Sequence, residues 1–378
     1  MDDSWPFPVP IERFDQKNEM FKRAAWDESI RPQAVRFYQE VVFKGSDGYQ
    51  KIDYAFRNAA WNVEWSAAFG NSRSNYGLYA WEGLPEKVKK CAETDGPVRM
   101  SPEEMTPLIK KAARFYGADL VGIGRFHPNW IYSHEFNLVT REHYPLELPE
   151  GLNHAIVMAV AMDYEGMKTA PTAVAGAATG LGYSRMAFTA NLLAAFIRFL
   201  GWRAVPAGND TALSIPLAMA AGLGESSRMG LLVTEPFGPR VRLCKVFTDL
   251  PLINDTYRPF GVAEFCRSCK KCAVQCPSQA IPHGEMTTQG PNFSNQSGIL
   301  KWYVDAERCF SFWAKNRMDC TVCIRVCPFN KPRGLLHDAV RGTIHRFPML
   351  HPLIVRVDGW LGYGKKAAAK AFWQSKEL

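Results

Sequence analysis

Cys266-Arg-Ser-Cys269-Lys-Lys-Cys272-Ala-Val-Gln-Cys276-Pro277 is followed by Cys309 and then by Cys320-Thr-Val-Cys323-Ile-Arg-Val-Cys327-Pro328. These two runs hold eight of the ten cysteines in the chain. Three thiolates on one short loop can cap three irons of a cubane, and a fourth cysteine held before a proline turns away to the neighbouring cluster. The expected ligand sets are therefore crossed: Cys266, Cys269, Cys272 and Cys327 for one 4Fe–4S cluster, and Cys309, Cys320, Cys323 and Cys276 for the other. The wide gap from Cys309 to Cys320 departs from a plain bacterial ferredoxin. Zinc takes four ligands and would leave the triple and the proline-flanked cysteines without a role. Cys91 and Cys244 stand alone and read as small packing residues.

The rest of the chain is large. Of 378 residues, 47% are hydrophobic and 12% aromatic, enough for a sizeable core beyond the cysteine module. A carrier of electrons needs only that module, so the remainder is expected to bind a substrate, another cofactor or both. The formal charge of +8 is modest, and no lysine or arginine block of five or more occurs, which argues against nucleic acid as a partner. No apolar run approaches the roughly 20 residues of a membrane span. The N-terminal MDDSWPFPVP shows no signal-peptide pattern or twin-arginine pair. The expectation is either a cytoplasmic protein or a mature form after twin-arginine export.

Along the chain, Ser101-Pro102-Glu103-Glu104 is a capping box opening a helix over 101–116, closed by Gly117. Strands are predicted at 118–123, 155–162, 229–234 and 241–247; the second is continuous and apolar, as suits burial on both faces. Residues 172–200 read as one long helix, or two broken near Gly180 and Gly182. Helices and strands intermix without a steady βαβ rhythm, so the expected class is α+β with a mixed sheet flanked by helices. The expected domains are 1–257 for catalysis, a ferredoxin-like module at 258–333, and a basic, aromatic segment at 334–378 packing back on the core. Gly122-Ile-Gly124 and Gly180-Leu-Gly182 lack the third glycine of a dinucleotide fingerprint. No D-x-H-x-x-G motif occurs, so a corrinoid, if bound, would lack a histidine below cobalt. The eight histidines show no paired metal spacing and read as structural or surface residues.

Ala177-Ala-Thr-Gly-Leu-Gly-Tyr183-Ser-Arg-Met, Leu200-Gly-Trp-Arg-Ala-Val-Pro-Ala-Gly-Asn209-Asp210, Ala221-Gly-Leu-Gly-Glu-Ser-Ser-Arg-Met-Gly230 and Gly238-Pro-Arg-Val-Arg242 together resemble the catalytic core of the cobalamin-dependent reductive dehalogenases. Phe21-Lys-Arg-Ala-Ala-Trp26-Asp, Cys309-Phe-Ser-Phe-Trp313 and Cys327-Pro-Phe-Asn-Lys331 extend the resemblance over nearly the whole chain. It implies a nitroreductase-like domain holding a base-off cobalamin or related corrinoid, with the two clusters delivering electrons to cobalt in organohalide respiration. It further implies a small organohalide substrate, an electron-donor protein or quinol-linked chain, and a small membrane anchor protein at the outer face of the cytoplasmic membrane. In that family a tyrosine, an asparagine and an arginine close over the corrin face, and the matching positions are Tyr183, Asn209 and Arg242.

Removing halide by reduction takes two electrons and one proton. A tyrosine beside a cation suits the proton, because the cation stabilises the phenolate left behind. Tyr183 is the expected donor, with Asn209 also touching the cofactor. Thr179 lies one turn before it on the same helix face. Each residue has a plainer reading. Tyr183 could be a core aromatic, Asn209-Asp210 could be turn chemistry, and Arg242 could be a solvated strand residue. Trp313 is packing around a cluster, a wall of the substrate pocket, or both. Trp61, Trp65 and Trp81 are weaker pocket candidates. Two other functions compete: an epoxyqueuosine-reductase-like enzyme acting on transfer RNA, and a non-catalytic iron–sulfur electron carrier.

Overall fold

The computed structural model describes residues 5–39, 44–68, 77–82, 96–138, 140–332 and 334–375; Cys91 lies outside them. Helix α1 (Lys51–Val63) is followed by α2 (Pro102–Phe115), whose Ser101 and Glu104 form the reciprocal capping box. Gly117 ends it at φ +111°, a left-handed turn that glycine tolerates. Next come β1 (Leu120–Gly124), the hairpin of β2 (His134–Phe136) and β3 (His143–Pro145), and β4 (His154–Ala161). Helix α3 (Ala173–Phe199) leads to β5 (Ala204–Ala207), the short pair β6 (Glu225–Ser226) and β7 (Leu232–Val233), and β8 (Val241–Thr248).

The main sheet runs β1-β4-β8-β5. The expected mixed sheet is replaced by one in which every ladder is antiparallel. The cause is strand order. The connection through α3 returns β5 in the direction of β4, but β8 lies between them and opposes both. Strand β4 is buried on both faces, as its unbroken apolar run predicts. Ile156, Met158 and Val160 meet α2 and α3 in one core cluster, while Ala155, Val157 and Ala159 meet Trp130 and Leu217 in the other. Cys244 is fully buried in the first.

Of the two readings of residues 172–200, the single long helix is the one observed, over Ala173–Phe199. One further expectation is corrected. Of 229–234, only Leu232–Val233 pairs as strand, because Ser227–Leu231 closes one tight turn and Thr234–Gly238 the next.

The cysteine module comprises α4 (Val262–Cys269), α5 (Lys271–Val274), α6 (Ala306–Asn316) and α7 (Val322–Arg325). It is internally repetitive in backbone as well as sequence. Lys270 and Thr321, each following the first cysteine of a C-x2-C pair, are left-handed at φ 50° and 53°, and each opens a four-residue helix. Those helices, α5 and α7, pack on each other. Helices α8 (Leu335–Arg346) and α9 (His351–Trp360) follow. Buried Asp358 of α9 takes Lys331 at 2.6 Å and also Lys271, tying both cysteine runs to α9. Trp373 Nε1 donates to Asp53 of α1 at 2.8 Å. No helix among the described residues is long and apolar enough to cross a membrane.

Candidate active site

A cavity of about 920 Å³ opens between α1, α3, the end of β8 and the cysteine module. Tyr183, Asn209, Arg242, Thr179 and Trp313 all line it, with Trp61 and Trp65. Trp81 does not; it packs against the core under the sheet.

The long helix positions Tyr183. Its ring stacks on Trp61 at 4.9 Å and 23°, and its hydroxyl accepts from Asn209 Nδ2 at 2.8 Å. Two glycines make room for this arrangement rather than breaking the helix. A Cβ on Gly180 would stand 2.2 Å from the Trp61 ring, and one on Gly182 would stand 3.0 Å from Arg242 Cγ. Arg242 lies on β8 where β5 has already ended, since the β5 ladder stops at Lys245. On this face of β8 it shares α3 with Cys244 and Val246, and its guanidinium sits 4.7 Å from the Tyr183 ring centre.

Asn209 belongs to a turn and also reaches the tyrosine, so both of its readings hold geometrically. Asp210 Oδ1 accepts from Gly208 N at 2.7 Å, and the turn is anchored from below by Lys245. That buried ammonium donates to Asp210 O at 2.9 Å and Ala212 O at 3.2 Å, and also to Gly208 O. Burial pulls its pKa down to about 8. Trp313 both packs, tilted against Phe21 at 5.6 Å, and lines the cavity.

Several polar atoms in this wall are sealed without partners. Thr179 Oγ1 and Arg242 Nε are buried with none, and so are Tyr79 Oη and Glu64 Oε2. Burial pushes the Glu64 carboxyl up to about 8, with Asp210 adding to the shift. Unsatisfied buried groups are costly, and here they cluster around one large apolar-walled space. That fits a bulky ligand carrying its own polar groups.

The cysteines divide spatially into fours. Cys276, Cys309, Cys320 and Cys323 line the large cavity. Cys266, Cys269, Cys272 and Cys327 line a separate small pocket with Arg228 and Phe265. The thiols that act electrostatically on Cys327 are those of Cys266, Cys269 and Cys272, all of the other run. Burial, then crowding by neighbouring thiols, pushes Cys309 up to about 12 and Cys323 to about 11. Such thiols ionise only with a cation among them, and none of the described cysteines forms a disulfide.

Sequence reading missed what joins the two halves. Fully buried Arg228 donates from Nε to Cys266 O at 3.0 Å and from Nη1 to Pro282 O and Gly284 O at 2.8 Å. Glu225 accepts from Val262 N at the start of α4. Both residues stand in the quoted Glu-Ser-Ser-Arg stretch, but their partners are remote in sequence, so no local signal reveals the role.

The description "4Fe-4S double cluster binding domain" fits residues 265–330. The tetrachloroethene reductive dehalogenase of Sulfurospirillum multivorans is 39% identical over 384 residues, spanning 93% of this chain and 76% of that protein. The chain belongs to the reductive dehalogenase family. The tetrachloroethene reductive dehalogenase of Desulfitobacterium hafniense is 38% identical over 325 residues, covering 76% of this chain and 59% of its relative. A solved reductive dehalogenase, described with a mechanism for B12-dependent dehalogenation, shares the fold at TM-score 0.74 and 24% identity. That match takes in 96% of this chain and 48% of the solved one. The chain thus spans about half of that solved protein and 59% of its Desulfitobacterium relative.

Proposed function

We propose that this chain reductively removes halide from an organohalide: R–X, two electrons and a proton give R–H and X⁻. The observation that carries the reading is the meeting of Tyr183, Asn209 and Arg242 in one cavity that also reaches a four-cysteine set. A corrinoid bound there would supply the strongly reducing cobalt that the carbon–halogen bond requires. Tyr183, Asn209, Thr179 and Arg242 would hold it and the substrate; no histidine lines the cavity among the described residues, in keeping with a base-off corrinoid.

Tyr183 Oη is the proton source. Asn209 Nδ2–H already points at that oxygen and Arg242 lies against the ring, so the charge left on Oη meets a donor and a cation without rearrangement. Trp61 and Trp313 give flat apolar walls that exclude water and suit a chlorinated alkene or a halogenated arene. Cys276, Cys309, Cys320 and Cys323 would hold the cluster nearer the cavity. Cys266, Cys269, Cys272 and Cys327 would hold the farther one, where an electron-donor protein or quinol-linked chain delivers. The catalytic unit is 1–257, the cluster module 258–333, and 334–378 braces them. A small membrane anchor protein, after twin-arginine export, is the partner expected at the outer face of the cytoplasmic membrane.

Anaerobic reconstitution with iron, sulfide and cobalamin, followed by halide release from chlorinated and brominated compounds, tests the reading. Cofactor uptake with no halide released from any of them overturns it.

A further inference from the structure

On the β2–β3 hairpin, three side chains of metal-ligating type meet outside the cavity. Phe136 stands opposite His143 in the register, and His134 lies two residues before Phe136. Residues two apart share a strand face, so His134 and His143 are diagonal neighbours on one side, with rings 4.8 Å apart. Asp15 joins the same edge through a bridge to His134. Its two carboxylate oxygens each lie 3.0 Å from His143 Nε2. One ligand atom from each of the three residues lies within 4.8 Å of the other two.

The three side chains are already oriented. Asp15 Oδ1 accepts from Lys17 N at 3.0 Å, and His134 Nδ1 lies 3.1 Å from Ser133 Oγ, which leaves Nε2 for a ligand. Bonds of about 2.0–2.1 Å to a tetrahedral zinc ion place its ligands roughly 3.4 Å apart, close to the separation already present between Asp15 and His143. An ion pair of Asp15 with His143 would account for two of the three residues and make no use of His134 Nε2.

We propose that Asp15, His134 and His143 bind a divalent transition-metal ion of the zinc class, with water completing the exposed side. Two imidazoles and a carboxylate are the donor set such ions favour over calcium or magnesium. The ion would clamp the N-terminal segment to the hairpin behind the cavity wall. Gln16 and Glu135, next in sequence to two of the ligands, line the cavity, and Gln16 Oε1 accepts from Phe136 N at 3.0 Å. The inference stands apart from the dehalogenation reading, since neither the cysteines nor Tyr183 take part.

The test uses untagged full chain with its clusters loaded, so that the cysteine sites do not take up added metal. Equilibrium dialysis against zinc chloride, with metal analysis, should show one saturable zinc beyond the cluster iron. His134→Ala, His143→Ala and Asp15→Asn should each weaken binding by about tenfold or more, since even groups that only orient a ligand cost about that much when lost. Zinc should raise the unfolding temperature of the wild type and not of His134→Ala. Absence of a saturable zinc, or unchanged affinity in His134→Ala, overturns the proposal. Should Asp15→Asn fail to fold, His143→Ala, which removes the exposed member, decides by the same criterion.

Discussion

The two halves of the cysteine module share one backbone plan and meet different surroundings. Each has a left-handed residue after the first cysteine of a C-x2-C pair, a four-residue helix and a Cys-Pro exit. Yet the set of Cys266, Cys269, Cys272 and Cys327 closes around about 10 Å³, whereas that of Cys276, Cys309, Cys320 and Cys323 borders a cavity of about 920 Å³ shared with Tyr183 and Arg242. The small pocket is bordered by Arg228, Phe265 and Phe329. The open set has α6, with Trp313, and the buried Asp319 held by Arg57 at 3.4 Å. Repetition specifies the ligand loops; the protein packed around each copy specifies its use.

The largest effect that could break this comparison is on the clusters. The intact protein should hold about 8 iron per chain. Cys276→Ala combined with Cys309→Ala should lose no more iron than either alone, about 4, because both are proposed ligands of one cluster. Cys276→Ala combined with Cys266→Ala should lose both clusters. If the Cys276 and Cys266 changes prove redundant instead, the crossed ligation fails.

Next in size is the proposed proton donor on the open side. Tyr183→Phe keeps the ring stacked on Trp61 and removes the hydroxyl, so turnover should fall by ~10²-fold or more with iron and cobalt content unchanged. Arg242→Lys should also lose turnover, since a flexible point charge replaces a planar fork. Near-normal halide release from Tyr183→Phe would remove that residue from the chemistry.

A smaller, structural contrast concerns two helical glycines. Gly180→Ala drives a methyl into Trp61 and should lower stability by about 1–3 kcal/mol. Gly342→Ala in α8 meets nothing within 4 Å and should raise it by roughly 0.5–1 kcal/mol. Denaturant melts of both variants settle the sign.

A further effect is electrostatic. Glu64 has its carboxyl raised to about 8 in the folded protein from the ordinary 4.5, so between those values the folded state binds more protons than the unfolded one. Its contribution is fully present below about pH 4.5 and is lost as pH rises through about 8. Glu64→Gln should flatten the stability profile across that window, and an unchanged slope would show that Glu64 is not the group responsible.

Strand β4 and helix α2 were legible because apolar continuity and a capping box are local signals. The glycines of α3 left two readings open for the same reason. Judged locally, Gly180 and Gly182 weaken a helix, but their purpose lies in Trp61 and Arg242, which stand 119 and 60 positions away. The candidate site was legible through its likeness to a family; spacing alone left Tyr183, Asn209 and Arg242 each with a plainer reading. Glu225, Arg228, Lys245 and the Asp15–His134–His143 group were not legible at all, since their partners are brought close by folding.

Taken alone, the sequence determined the ligand chemistry of the cysteine runs, the α+β composition and the principal strand buried on both faces. These follow from residue type and spacing within single loops, helices and strands, where chain geometry limits what neighbours can do. Tertiary structure decided that the sheet is antiparallel, that one cysteine set faces the cavity while its twin lines a small separate pocket, and that a helix, a turn and a strand bring Tyr183, Asn209 and Arg242 together. Those outcomes depend on packing between segments far apart in the chain, and spacing within a segment places no constraint on which distant surface it will meet.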